Sequence, residues 1–402
     1  MKQEIKALHR EINRKGDECL TVRFGPEHAG KILEYHKSFP EYRVTPLADL
    51  KNLAKALGVQ SIHVKDESYR FGLNAFKVLG GSYCIGSYIA ELLQMDLSEL
   101  PFEKISGRWV KEKLGEITFV TATDGNHGRG IAWTASRLGQ KSVVYMPKGS
   151  SQERLDNIKA LGAEAFITDW NYDDTVRFAS EQAVKNGWIM VQDTSWEGYE
   201  KLPGWIMEGY TSMAYEAAEQ LGDEKPTHIF LQAGVGAMSG ALTGFFAELY
   251  KNEEMPVITI VEPDQADCMY RTAKADDGTL HFVTGDMHTI MAGLACGEPC
   301  TMGWNILNDY ASNFVSMPDH IAAKGMRILG NPTGNDPKVI SGESGASTLG
   351  LVAEALQNES LGWLKEQLKL DEHSRILCFS TEGDTDKENY RKIVWDGAYP
   401  SF

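Results

Sequence analysis

The stretch "THIFLQAGVGAMSGALTGFFAEL", residues 227–249, changes its periodicity halfway along. Its opening, THIFLQ, is a short β-branched and aromatic run of the kind that forms a buried strand. Its close, MSGALTGFFAEL, carries small and apolar residues at helical spacing. Between them Gly234, Gly236 and Gly240 mark a strand-to-helix turn. Backbone amides freed at such a turn, beside the positive end of the helix dipole, form a cradle for a phosphate. Comparable apolar runs recur at 61–66 (SIHVKD), 116–123 (EITFVTAT), 141–147 (KSVVYMP), 164–169 (EAFITD), 188–193 (WIMVQD), 257–263 (VITIVEP) and 375–381 (RILCFST). Helix-period segments such as GNHGRGIAWTASRLGQ and YDDTVRFASEQAVKNG separate them, so the alternation predicts a doubly wound, mostly parallel α/β fold. The four runs from Glu116 to about Asp193 read as a smaller α/β domain, residues 88–200, inserted into a larger one made of 1–87 and 201–402.

In such sheets ligands bind beyond the carboxyl ends of the strands. TDGNHG, GVGAMSG and TEGDTD each follow a predicted strand. The glycine turn also resembles a dinucleotide fingerprint, with Glu262 at the end of the next strand in the place of an acid that grips a ribose. A nicotinamide site would, however, leave Lys77 idle. That lysine sits in NAFKVLGG, between Phe76 and a glycine-rich helix start. Either its stem snorkels to water, or desolvation by Phe76, Val78 and Leu79 makes its amine a nucleophile, with Gly80 and Gly81 letting something flat approach the backbone. A phosphate cradle plus a reactive amine is the minimum needed for pyridoxal phosphate.

The chain has 402 residues, 40 basic against 56 acidic, for a formal charge of −16. That balance disfavours nucleic acid and anionic membrane as partners. Hydrophobic residues make up 42% and charged ones 24%, an ordinary globular composition. The charged opening, MKQEIKALHREINRKGDE, has no apolar leader core, and the chain is expected to be cytoplasmic. CGEPC, at Cys296 and Cys300, has the wrong spacing for a redox dithiol and no second pair for zinc, so no metal is expected.

NAFKVLGG, TDGNHG, AGVGAM and STEGD stand in the order and spacing of fold type II pyridoxal phosphate enzymes, which the chain resembles. Threonine dehydratases of that group carry a serine where this chain has Asp124, in Thr123-Asp124-Gly125-Asn126-His127. A carboxylate there either caps the helix that follows, takes the Cα proton of a bound amino acid or pairs with a cationic substrate. The wider set, with KDESYRFGLNAFKVLGG, MPKGSSQER, NYDDTVR, QDTSWEGY and MAGLACGEP, closely resembles the diaminopropionate ammonia-lyase family from about Tyr42 to Asp396. The resemblance implies elimination of 2,3-diaminopropionate, D and L, to pyruvate and two ammonia molecules, by a homodimer. It implies Lys77 as the Schiff-base lysine and base for the L isomer, Asp124 as base for the D isomer, and Asp193 as a substrate-orienting carboxylate. Gly234, Val235, Gly236, Ala237 and Met238 would hold the cofactor's phosphate. Asn126 would lie against its 3′ oxygen, and Ser380 or Thr381 would face its pyridine nitrogen. By its residues alone Asp193 reads as a turn or N-cap, as an Asp-Thr pair after a strand commonly does, and His127 as structural. The rival readings are a serine or threonine dehydratase and a nicotinamide-binding or non-catalytic ligand-binding protein.

Overall fold

A computed structural model describes residues 4–12, 19–123 and 125–400. The strands run in chain order as β1 (Lys6–His9), β2 (Leu47–Asp49), β3 (Ser61–Asp66), β4 (Thr118–Ala122), β5 (Lys141–Met146), β6 (Glu164–Ile167), β7 (Ile189–Met190), β8 (His228–Gln232), β9 (Val257–Pro263), β10 (Asn313–Met317) and β11 (Arg375–Ser380). They form two sheets. Seven strands pair in the order β1-β10-β9-β8-β11-β3-β2, parallel except for the two edges, β1 and β2. The other four pair in the order β6-β5-β4-β7, parallel throughout.

Strands β3 and β9 match the sequence reading residue for residue, while β1, β2 and β10 are additional to it. WIMVQD contributes only Ile189 and Met190 to the ladder; Gln192 and Asp193 lie beyond it, in the loop that follows.

Period-two alternation feeds a core on each face of the larger sheet. Ile229 and Leu231 of β8, with Leu377 and Phe379 of β11, point to one core; Phe230, Ile376 and Cys378 point to the other. Each such fully buried Leu or Phe is worth roughly 1.5–3 kcal/mol over leaving it exposed. The helices Val78–Leu93, Lys201–Leu221 and Ala237–Leu249 cover the first core, and Asp319–Gly330 and Glu343–Gln357 the second.

Gly80 and Gly81 do not open space for a ligand, as the sequence suggested. A Cβ on Gly80 would come within 2.6 Å of Tyr210 and 2.8 Å of the Ile206 carbonyl, and one on Gly81 within 3.3 Å of the Gly130 backbone. Both glycines let neighbouring helices pack closely.

The topology makes one crevice in each sheet. From β8 the chain passes outward to β9 and β10, then returns to the other side of β8 as β11; from β4 it passes to β5 and β6, then returns as β7. Each reversal is a switch point at which the loops leaving adjacent strands diverge, the usual place for a ligand.

Candidate active site

Loops from both switch points line one cavity of about 530 Å³. Thr123, Asn126 and His127 follow β4, and Asp193 follows β7. Ala233–Ser239 follow β8, and Thr381 and Glu382 follow β11. Lys77, at the start of the helix Val78–Leu93, enters from the β3 side.

The Lys77 amine donates to Asp193 Oδ2 and lies 5.4 and 5.9 Å from the ring centroids of Phe76 and Tyr210. Burial alone would raise the Asp193 carboxyl; the charge of Lys77, then that of His127, outweighs it and holds the group down at about 2. Gln192, beside it, accepts from the Ala122 N–H at 3.0 Å through Oε1 and donates to the Tyr172 hydroxyl at 2.8 Å. The loop carrying Asp193 is thereby tied to β4 and to the helix Tyr172–Asn186. His127 is fixed at Nε2 to the Val191 carbonyl, 2.9 Å, with Nδ1 at 4.0 Å from Asp193 Oδ2.

Opposite stands the glycine turn. Gly236 has φ of 87°, a backbone conformation that strains any residue with a side chain. Among the described residues, the backbone N–H groups of Gly234, Val235, Gly236, Ala237 and Met238 meet no protein acceptor. Val235, Ala237 and Met238 are buried, and the helix Ala237–Leu249 begins there. Unaccepted amides converging at a helix start are costly unless an anion completes them, and a phosphate fits that requirement.

Asn126 is the first residue of the helix Asn126–Arg137, and its Nδ2 donates to Glu382 Oε2 at 2.6 Å. Thr381 faces the cavity and accepts from Gln232 Nε2 at 2.7 Å. Ser380 does not line the cavity: it is the last residue of β11, fully buried, and its hydroxyl is 2.8 Å from that of Ser341. Asp124 lies outside the described residues. Lys77, Asn126, Asp193, Gly234–Met238 and Thr381 are thus brought together.

Glu382 and Gln232 escaped the sequence reading. Glu382 belongs to STEGD, directly after a predicted strand, and that position was the available signal; Gln232 looked like an ordinary strand end. Glu262 does not line the cavity. Its two oxygens accept from the Met269 and Tyr270 N–H groups at 2.8 and 2.7 Å, capping the helix Cys268–Ala275, so no ribose is gripped there. Among the described residues no cluster of His, Cys, Asp and Glu is placed to hold a metal, and no helix is long and apolar enough to cross a membrane.

Comparison with known proteins agrees with this chemistry. The family model described as pyridoxal-phosphate dependent enzyme matches residues 39–362. Diaminopropionate ammonia-lyase of Salmonella typhimurium is 53% identical over 371 residues, covering 91% of this chain and 92% of its own. The Escherichia coli protein of the same name is 51% identical over 379 residues, covering 94% and 93%. The holo crystal structure of diaminopropionate ammonia lyase from Escherichia coli superposes with a TM-score of 0.92, at 47% identity, covering 99% of this chain and 98% of that one. The chain belongs to the pyridoxal-phosphate dependent enzymes and, among them, to the diaminopropionate ammonia-lyases.

Proposed function

We propose that the chain eliminates ammonia from 2,3-diaminopropionate, in both D and L forms, to give pyruvate and a second ammonia. The observation carrying this reading is the Lys77–Asp193 pair set across the cavity from the unaccepted amides of Gly234–Met238. When bound, pyridoxal phosphate supplies a conjugated ring that spreads the negative charge developing at Cα.

The chain's own residues do the rest. Gly234, Val235, Gly236, Ala237 and Met238 would hold the phosphate of the bound cofactor through main-chain amides, and Lys77 would hold its aldehyde carbon. Asn126 would meet the 3′ oxygen. Thr381 would present a hydroxyl to the pyridine nitrogen, and Ser380 supports that strand end through Ser341. Lys77 takes the Cα proton of the L isomer. Asp124 is assigned the D isomer from its place in TDGNHG.

Asp193, ionised at neutral pH, orients the Lys77 amine and attracts the substrate's cationic β-ammonium. The β-nitrogen must leave as neutral ammonia, since an amide ion is too poor a leaving group. A protonated Lys77, having taken the Cα proton, is placed to keep that nitrogen protonated, and general acid catalysis of this kind is typically worth ~10²–10⁴-fold. The released enamine tautomerises and takes up one water, so substrate plus water becomes pyruvate plus two ammonia molecules.

The same reading divides the chain into a larger unit, 1–87 with 201–402, and a smaller one, 88–200. The two separate sheets support it, although the helix Val78–Leu93 crosses the division and packs on both Lys201–Leu221 and Asn126–Arg137. A cytoplasmic homodimer is part of the proposal, checked by light scattering and fractionation.

The function is tested by pyruvate formation from D- and L-diaminopropionate and from serine at equal concentration. Preference for diaminopropionate is expected. Preference for serine would make the chain a dehydratase.

A further inference from the structure

Glu382 is a buried carboxylate with its acceptors aimed at two other elements. Oε2 receives the Asn126 amide at 2.6 Å, and Oε1 receives the Ser344 N–H at 3.2 Å, at the start of the helix Glu343–Gln357. Its backbone bridges Ala75, two residues before Lys77. Room for the side chain is made by Gly342, where a Cβ would lie 3.0 Å from Glu382 Cγ. Asn126 follows β4 of the four-stranded sheet and Glu382 follows β11 of the seven-stranded sheet, so this hydrogen bond spans the cavity.

We propose that Glu382 is a positioning residue: it fixes the Asn126 amide across the cavity and so sets how Asn126 meets the cofactor. The inference rests on the pyridoxal phosphate reading of the site. An Asn126 amide without this acceptor is free to rotate, because χ2 of asparagine is broad. A carboxylate acceptor restricts it more strongly than a neutral one.

The test is a double-mutant cycle on the dissociation constant for pyridoxal phosphate, read from the visible absorption band as the cofactor is titrated in. Glu382→Ala and Asn126→Ala are each expected to weaken binding roughly tenfold. The double variant is expected to be no weaker than either single one, because the two act through one contact. The isosteric Glu382→Gln keeps one acceptor but sets an amide against either Asn126 or the Ser344 N–H. It is expected to fall between wild type and Glu382→Ala, with a shifted band.

Multiplicative losses in the double variant would overturn the proposal. So would a Glu382→Gln variant whose melting point falls while its band stays in place, which marks a purely structural residue. Absence of any band in the wild type would instead refute the cofactor reading beneath it.

Discussion

Lys65 and Lys77 are both withdrawn from water and both face a carboxylate, yet their surroundings prepare them for opposite ends. Lys65, on β3, has a fully buried side chain, and its amine meets Glu216 Oε2 at 2.7 Å, Gln220 Oε1 at 2.7 Å and the Thr45 carbonyl at 2.8 Å. Three acceptors consume its three protons. Arg70, fully buried as well, binds Glu67 and Glu216, so two cations and two anions close the cluster. Burial pushes the Lys65 amine down despite Glu216, while burial pushing Glu216 up is outweighed by Arg70, which with Lys65 holds that carboxyl at about 2.

Lys77 keeps 19% of its side chain exposed, against none for Lys65, and that surface belongs to the reaction cavity. Its carboxylate partner, Asp193, rides on the other sheet's switch-point loop. A complete ring of partners locks a charge in place. The cavity beside Lys77 leaves its amine reachable by a carbonyl.

Substitutions should separate the two lysines. The largest effect is expected for Lys77→Ala, with turnover falling by at least about 10⁴-fold and the visible cofactor band lost, measured by pyruvate release and absorbance; the fold should persist by circular dichroism. Next, Lys65→Met leaves buried acceptors and charge uncompensated and should cost about 3–5 kcal/mol of stability, read by denaturant titration, while the folded fraction keeps its band. If Lys65→Met removed the band and Lys77→Ala did not, the assignment of the two lysines would be reversed.

Asp193→Asn is expected to lower kcat by about 10²-fold with the cofactor still bound, since it removes the charge that orients Lys77. The smallest effect concerns acid. Asp193 and Glu216 both have carboxyls held below their unfolded values, so their contribution is fully present only above about pH 4.5 and is lost as pH falls towards about 2. Denaturation of cofactor-free protein should show this loss reduced by on the order of 1–2 kcal/mol in Asp193→Asn. An unchanged acid profile would mean that the pair adds nothing to stability.

Much of the fold was legible because parallel strands buried on both faces announce themselves: VITIVEP and SIHVKD are apolar runs with clear ends, and both became strands as read. The missed strands lack that signal. KALH and LAD are short antiparallel edges, half exposed, and NFVSM is short and mixes polar with apolar residues although it is fully buried. At the site, the residues carried by motifs, Lys77, Asn126 and Gly234–Met238, came together around the cavity. Glu382 and Gln232 were hidden because their partners lie 256 and 149 positions away, Asn126 for one and Thr381 for the other, and only folding supplies the contact. STEGD also left Ser380 and Thr381 indistinguishable, since adjacent residues at a strand end point to opposite faces; the structure turns Thr381 to the cavity and Ser380 to Ser341.

One amine, that of Lys77, should hold the cofactor. Borohydride reduction of the pyridoxal phosphate-loaded protein, followed by peptide mass mapping, reads that amine directly. A phosphopyridoxyl group on Lys77, with Lys65 unlabelled, is the expected result. A label on any other lysine, or none on a protein that has bound the cofactor, would contradict the account.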